Sequence, residues 1–233
     1  MKINGFHKLT LVDYPGKLAC SLFLFGCNFK CGFCHNPELV TGVSAEEFTE
    51  KEILDFLAER KKYLDGVCIT GGEPLLSLDK EFLKKIKDLG YSIKIDTNGT
   101  FPEKLKELIF GGLVDFVSMD IKSSREKYSE IISVNADLGK IEESMKLISN
   151  LENYEFRTTI LEEIHNAEEI KKMLEWVCEI IGKKIKTFVL QGFKNNGKFI
   201  DMEFKNKKDT TREYLEELKK YAEAFAEKVE IRV

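Results

Sequence analysis

Three cysteines lie in the run Cys27-Asn28-Phe29-Lys30-Cys31-Gly32-Phe33-Cys34, followed at once by His35-Asn36-Pro37. The pattern C-x3-C-x2-C offers soft thiolates, which select zinc, copper(I) or iron–sulfur clusters over hard cations. A closed structural zinc site needs four ligands, so His35 or a distant cysteine would have to complete it, and zinc spacings recur as a second pair far downstream. No second pair exists: Cys20, Cys68 and Cys178 stand singly among apolar residues, as buried core cysteines do. A 4Fe-4S cluster on Cys27, Cys31 and Cys34 would keep one iron open to a small molecule.

Other clusters of unusual residues are Gly71-Gly72-Glu73-Pro74, Asp96-Thr97-Asn98-Gly99, Asp120-Ile121-Lys122 and Gln191-Gly192. Taken alone, the first two read as ordinary turns. Each of the four follows or closes a short apolar, β-rich run. Those runs, at residues 18–25, 67–70, 92–96, 116–121, 154–160 and 185–190, read as strands, and 229–233 adds a short final one. Segments 44–63, 78–89, 103–110, 140–150, 166–181 and 210–228 carry apolar residues at helical spacing. Strand-helix alternation implies parallel strands with right-handed crossovers. About six such units are too few for a closed eight-stranded barrel. The expected fold is therefore α/β, a partial (β/α)6 TIM-like barrel, open, with parallel strands. Ligands of such sheets bind at the carboxyl ends of the strands, where all of these clusters fall.

Composition narrows the classes. The 233 residues, 43% of them apolar, can bury a real core, and no linker or repeat divides them, so a single domain over 1–233 is expected. A net charge of −4, from 36 basic and 40 acidic residues, gives no basic surplus for nucleic acid or an anionic membrane. No apolar run approaches the roughly 20 residues of a spanning helix, and MKINGFHKLT lacks the apolar region of a signal peptide. A cytoplasmic location is expected, where reducing conditions favour metal or redox use of cysteine over disulfides. The Lys and Glu enrichment is consistent with a thermophile.

The cysteine triplet, Gly71-Gly72-Glu73-Pro74 and Asp96-Thr97-Asn98-Gly99 together resemble the radical S-adenosylmethionine (SAM) superfamily. Asp13-Tyr14-Pro15-Gly16, Phe25-Gly26-Cys27-Asn28, Cys34-His35-Asn36-Pro37 and Asp120-Ile121-Lys122 narrow the likeness to glycyl-radical enzyme activating enzymes. The nearest resemblance is to those serving anaerobic ribonucleoside-triphosphate reductase. Activating enzymes commonly carry Asp-Gly-Pro-Gly with a following Arg, whereas this chain has Asp13-Tyr14-Pro15-Gly16-Lys17, a departure from the pyruvate formate-lyase branch.

The resemblance implies that SAM chelates the open iron and that one electron cleaves it to methionine and a 5′-deoxyadenosyl radical. That radical takes hydrogen from a glycine of a partner enzyme. By the same likeness, Gly71 and Gly72 allow close backbone approach to SAM's amino end. Glu73 accepts from its ammonium, Phe33 lies near the adenine, and Lys122 pairs with its carboxylate. Asp96, Thr97 and Asp120 form a site for a small cation or a ribose hydroxyl, Arg157 faces the same cavity, and His35 orders the loop beside Cys34. With no cysteine between Cys34 and Cys68, a single cluster is expected, reduced by a separate flavodoxin or ferredoxin. Two other readings compete: a small-molecule radical SAM enzyme resembling the 7-carboxy-7-deazaguanine synthases, and a non-catalytic zinc-binding interaction domain.

Overall fold

The structure is a computed structural model describing residues 1–42 and 47–233. Strands and helices alternate: β1 (Ile3–Thr10), β2 (Ala19–Leu24), α1 (Pro37–Thr41), α2 (Glu50–Arg60), β3 (Gly66–Gly71), α3 (Lys80–Asp88), β4 (Ser92–Thr97), α4 (Pro102–Phe110), β5 (Phe116–Asp120), α5 (Tyr128–Ile132), α6 (Leu138–Ser149), β6 (Tyr154–Ile160), α7 (Ala167–Ile181), β7 (Ile185–Gly192), α8 (Arg212–Ala222) and β8 (Ala226–Arg232). Short 3-10 turns cover Pro74–Leu76 and Met202–Asn206. Strand order follows chain order and does not return from β8 to β1, so the α/β fold is unclosed, as expected. Among the described residues no helix is long and apolar enough to cross a membrane.

The chain forms two compact units. The first comprises Met1–Asn28, Glu38–Thr97 and Glu103–Val117. Within it β2, β3 and β4 pair in parallel, and their interior residues Leu22, Leu24, Ile69, Ile93 and Ile95 are fully buried. Helix α3 lays Phe82, Leu83 and Ile86 into the same core, started by the Asp79 carboxylate on the Glu81 amide. Helix α2 opens with a capping box, Thr49 with Glu52, so it begins at Glu50 rather than at 44. Residues 44–46 of the expected helix lie outside the described residues, and Phe48 instead bridges to Ile3.

Strand β1 was not expected. It pairs antiparallel with β2, and only Ile3 and Thr10 at its ends are buried, so its sequence lacks the apolar run of a covered strand. The loop from β1 to β2 carries the Asp13-Tyr14-Pro15-Gly16 motif. Ser21 Oγ donates to Asp13 at 2.5 Å, Gly16 turns the chain at φ 74°, and Tyr14, 2% exposed, lies against Gly66. A Cβ on Gly66 would meet the Tyr14 ring at 2.9 Å, so the absence of a side chain makes the seat. The motif therefore anchors the amino ends of β2 and β3, away from the strand ends where the other motifs fall. Tyr14→Ala is expected to cost about 3 kcal/mol, by analogy with other buried aromatic truncations, read as a lowered urea midpoint.

The second unit comprises Phe29–Pro37, Asn98–Pro102 and Ser118–Val233. Strands β6, β7 and β8 pair in parallel. Helix α7 packs between α6 and α8 and buries Ile170, Met173, Leu174 and Val177 at helical spacing. The single helix expected over 210–228 ends at Ala222, and the chain turns directly into β8. No Gly or Pro marks that break, so 223–228 read as a continuing helix face, while the final strand expected at 229–233 is present as β8, beginning three residues earlier. Alternating charges suit a strand with an exposed side. The five-residue α1 and α5 are too short to show a period.

Interior expectations hold in part. Cys20 and Cys68 are fully buried, burial pushing the Cys20 thiol up to about 12, while Cys178 is half-buried and donates to the Phe225 carbonyl at 3.4 Å. Phe23, Phe25 and Phe116, expected in the core, are only half-buried; β1 and the amino terminus cover the first two, with His7 beside Phe23 and Lys2 over Phe25.

Candidate active site

In the first unit the glycine turn is built against the opening of the cysteine loop. Gly71 closes β3 at φ 119°, and a Cβ there would lie 2.4 Å from Leu24 N and O. Gly72 leaves still less room, since its Cβ would stand 2.0 Å from the Gly26 oxygen and 3.2 Å from Cys27 Cβ. Two main-chain bonds lock this contact, Gly72 N to Leu24 O at 3.0 Å and Glu73 N to Gly26 O at 2.7 Å. The turn thus sits on the residue before Cys27, an approach only glycine permits. Glu73 is fully buried; its Oε1 caps the following turn by accepting from Leu75 N at 3.0 Å and accepts from Thr97 Oγ1 at 2.9 Å. Asp96, next to the last residue of β4 and on the same face as Lys94, is held by that lysine.

In the second unit the loop carrying Cys31 and Cys34 is pinned from several sides. Lys30 N donates to Ile132 O at 3.0 Å, where α5 ends, and Cys34 N donates to Cys31 O at 3.0 Å. Asp201 N reaches Gly32 O at 3.1 Å, and Asn196 Nδ2 reaches His35 O at 3.2 Å. An aromatic group from the segment after β7 completes the seat: Phe33 lies 5.9 Å from Phe204, and His35 lies 5.6 Å from Phe193. Gly32 is required here, since a Cβ would meet Phe204 at 2.7 Å. Phe33 is 5% exposed with an aromatic partner of its own, and His35 Nε2 is buried without a hydrogen-bond partner. Sequence reasoning missed this segment because Phe193, Phe199 and Phe204 follow no helix or strand period.

The end of β5 carries a charged triad. Arg157 Nε donates to Asp120 Oδ1 at 2.5 Å, and Lys122 Nζ to Asp120 Oδ2 at 2.9 Å. Behind it, His165 Nδ1 accepts from Leu161 N at 3.1 Å, so the neutral ring donates from Nε2 to the Lys122 carbonyl at 2.9 Å. Burial lowers the pKa of His165, in keeping with that neutral form. Glu169 accepts from Ser123 Oγ at 2.6 Å and Ser124 N at 2.7 Å, fixing the next two residues. None of His165, Glu169 or Tyr128, whose hydroxyl reaches the Asp120 carbonyl at 3.4 Å, was singled out from sequence; only their positions in the fold reveal the support.

Electrostatics follow from this arrangement. Burial alone would raise the Asp120 carboxyl, but the charges and hydrogen bonds of Arg157 and Lys122 overcome it and hold the group well below the usual carboxylate range. Burial would lower the Lys122 ammonium, but Asp120 leads the effects that raise it. Burial pushes the Cys31 thiol up while Lys122 draws it down, with a net rise, and burial lowers His35. A depressed carboxylate contributes stability that is present above its unfolded value near about pH 4 and is lost as pH falls toward the folded value. Asp120→Asn is therefore expected to be less stable at neutral pH, because two cations lose their counter-charge. Its unfolding midpoint should also fall less steeply than the wild type's below about pH 5, as thermal melts across pH would show.

Three thiol donors on one short loop, none in a disulfide, and a glycine turn pressed against the start of that loop fit an iron–sulfur cluster with a small ligand. Among the described residues no three His, Cys, Asp or Glu side chains gather as a cage for a single ion.

The Radical SAM superfamily profile matches residues 21–177. A Methanocaldococcus jannaschii protein, named provisionally as a glycyl-radical enzyme activating enzyme, is 33% identical over 241 residues, spanning 99% of this chain and 95% of that one. The pyruvate formate-lyase-activating enzyme of Clostridium pasteurianum is 30% identical over 156 residues, 64% of each chain. A solved radical SAM methyltransferase from Sphaerobacter thermophilus shares the fold at TM-score 0.69, over 96% of this chain and 68% of that one, with 13% identity. The chain belongs to the radical SAM superfamily and, within it, to the glycyl-radical enzyme activating enzymes. It is an enzyme, which sets aside the non-catalytic zinc module. Membership implies a 4Fe-4S cluster and SAM as cofactors and a glycyl-radical enzyme as partner.

Proposed function

We propose that this enzyme installs a glycyl radical on an anaerobic ribonucleoside-triphosphate reductase, with Cys27, Cys31 and Cys34 holding one 4Fe-4S cluster. When bound, the reduced cluster with SAM supplies methionine and a 5′-deoxyadenosyl radical, which leaves as 5′-deoxyadenosine once it has taken hydrogen from the partner's glycine. The electron comes from a separate flavodoxin or ferredoxin. The observation that carries the reading is the glycine turn fastened to the residue before Cys27, which supports a ligand site where the turn meets the opening of the cysteine loop.

In this reading Gly71 and Gly72 let the main chain approach SAM's amino end. Glu73, whose carboxylate is fixed at the turn by Leu75 N and Thr97 Oγ1, takes the ammonium. Lys122, its main chain fixed by His165, pairs with the SAM carboxylate. Asp120 holds Lys122 and Arg157 in place, with one cationic side chain on each oxygen. In this reading Asp96 and Thr97 face a ribose hydroxyl. Phe33 and His35 order the loop so that its main chain meets the adenine edge.

The test is radical transfer. Reduced enzyme with SAM is mixed anaerobically with ribonucleoside-triphosphate reductase or with pyruvate formate-lyase, and the glycyl radical is followed by electron paramagnetic resonance. The radical is expected on the reductase; its appearance on pyruvate formate-lyase alone, or on neither while a small metabolite turns over, would overturn the assignment.

A further inference from the structure

Beneath Asp96 lies a charged side chain that none of these roles uses. Lys94 is 1% exposed in the middle of β4, and its Nζ donates to Asp96 Oδ1. Cys68 stands directly opposite Lys94 in the β3–β4 register, with its Sγ 3.8 Å from that Nζ and 3.9 Å from the same Asp96 oxygen. The Phe116 ring centroid lies 6.0 Å from the ammonium. A buried lysine is costly, and an apolar residue would serve a strand interior as well, as Ile93 and Ile95 do on the other face. Packing alone gives no reason for it. What its geometry does achieve is to fix one oxygen of a carboxylate near the carboxyl end of the strand.

We infer that Lys94 is a positioning residue for SAM: with the Cys68 thiol beside it, its ammonium fixes the Asp96 carboxylate in the orientation that meets the ribose hydroxyl. This rests on the role given to Asp96 above. The effect passes through Asp96, so it disappears when residue 96 can no longer present a carboxylate.

The experiment is equilibrium binding of SAM to cluster-loaded, unreduced enzyme, where no turnover occurs, with iron content and thermal midpoint read on the same samples. Wild type, Asp96→Asn, Lys94→Gln and the double variant make a cycle. Each single change is expected to weaken SAM binding about tenfold at unchanged iron content, the scale of losing a charged hydrogen bond. The double variant should bind no more weakly than Asp96→Asn alone, the non-additivity expected of one shared unit. Wild-type affinity in Lys94→Gln, or losses that multiply in the double variant, would overturn the inference. Should Lys94→Gln not fold, Lys94→Arg keeps the charge: a loss with Asp96 present that vanishes in the Asp96→Asn background is expected, and equal affinity to wild type or equal losses in both backgrounds overturn it. A wild type that carries a full cluster yet binds no SAM fails at the level of the proposed function, whereas normal wild-type binding with an unaffected Lys94→Gln fails here alone.

Discussion

Cys31→Ala is expected to abolish reductive SAM cleavage, leaving 5′-deoxyadenosine at the level of a protein-free control. Alanine offers no ligand atom, and a cluster on three thiolates has no spare donor to replace one. Cys31 is 8% exposed, and burial disfavours its thiolate against the pull of Lys122, so iron binding secures the charged form. The loop should survive the change, because Lys30 to Ile132 and Asp201 to Gly32 hold it through main-chain atoms on either side. Metal-free variant and metal-free wild type are therefore expected to melt alike. Iron content and the visible absorption of the reconstituted protein check the first half, and a metal-free melt checks the second. A Cys31→Ala protein with full iron and undiminished product would remove the residue from the ligand set.

The second large effect is structural. Gly72→Ala would place a methyl 2.0 Å from a main-chain oxygen and 2.6 Å from its carbonyl carbon, and main chain cannot swing away as a side chain does. Relief requires breaking Glu73 N to Gly26 O or Gly72 N to Leu24 O, which unseats Glu73 as well. A loss of about 3 kcal/mol, the upper end for overpacking, is expected in urea unfolding, together with loss of SAM binding in whatever protein folds. Gly112→Ala is the control. It sits at φ 67° with nothing within 4 Å, so only the left-handed backbone cost of about 1 kcal/mol applies. Equal stability of the two variants would contradict the account of the turn.

The difference between these two glycines shows what was legible in the sequence. The cysteine spacing, the Gly-Gly-Glu-Pro turn and the strand-helix rhythm are local patterns, and the fold class, the parallel strands β2 to β4 and the glycine turn at the end of β3 could be read from them. Residues whose reason is a distant neighbour could not. Gly32 is needed because Phe204, from far along the chain, presses on it. His165, in the segment that follows β6, fixes Lys122 through its main-chain carbonyl, and Lys94 looks like one more lysine in a lysine-rich chain until Asp96 and Cys68 close around it. Strand β1 and the break between α8 and β8 were hidden for another reason: their residues are polar or charged, and edge strands do not carry the apolar run that betrays a covered one.

The most direct test of the central claim is a single stoichiometry. The wild type is reconstituted anaerobically with iron and sulfide, reduced by a one-electron donor and given SAM, and methionine and 5′-deoxyadenosine are quantified together. Equal amounts of the two, formed only with reductant and only with the cluster present, are the result this account predicts. A protein that takes up zinc in place of iron, or one that holds a complete four-iron cluster, binds SAM and leaves it intact under reduction even with its glycyl-radical partner present, would contradict it.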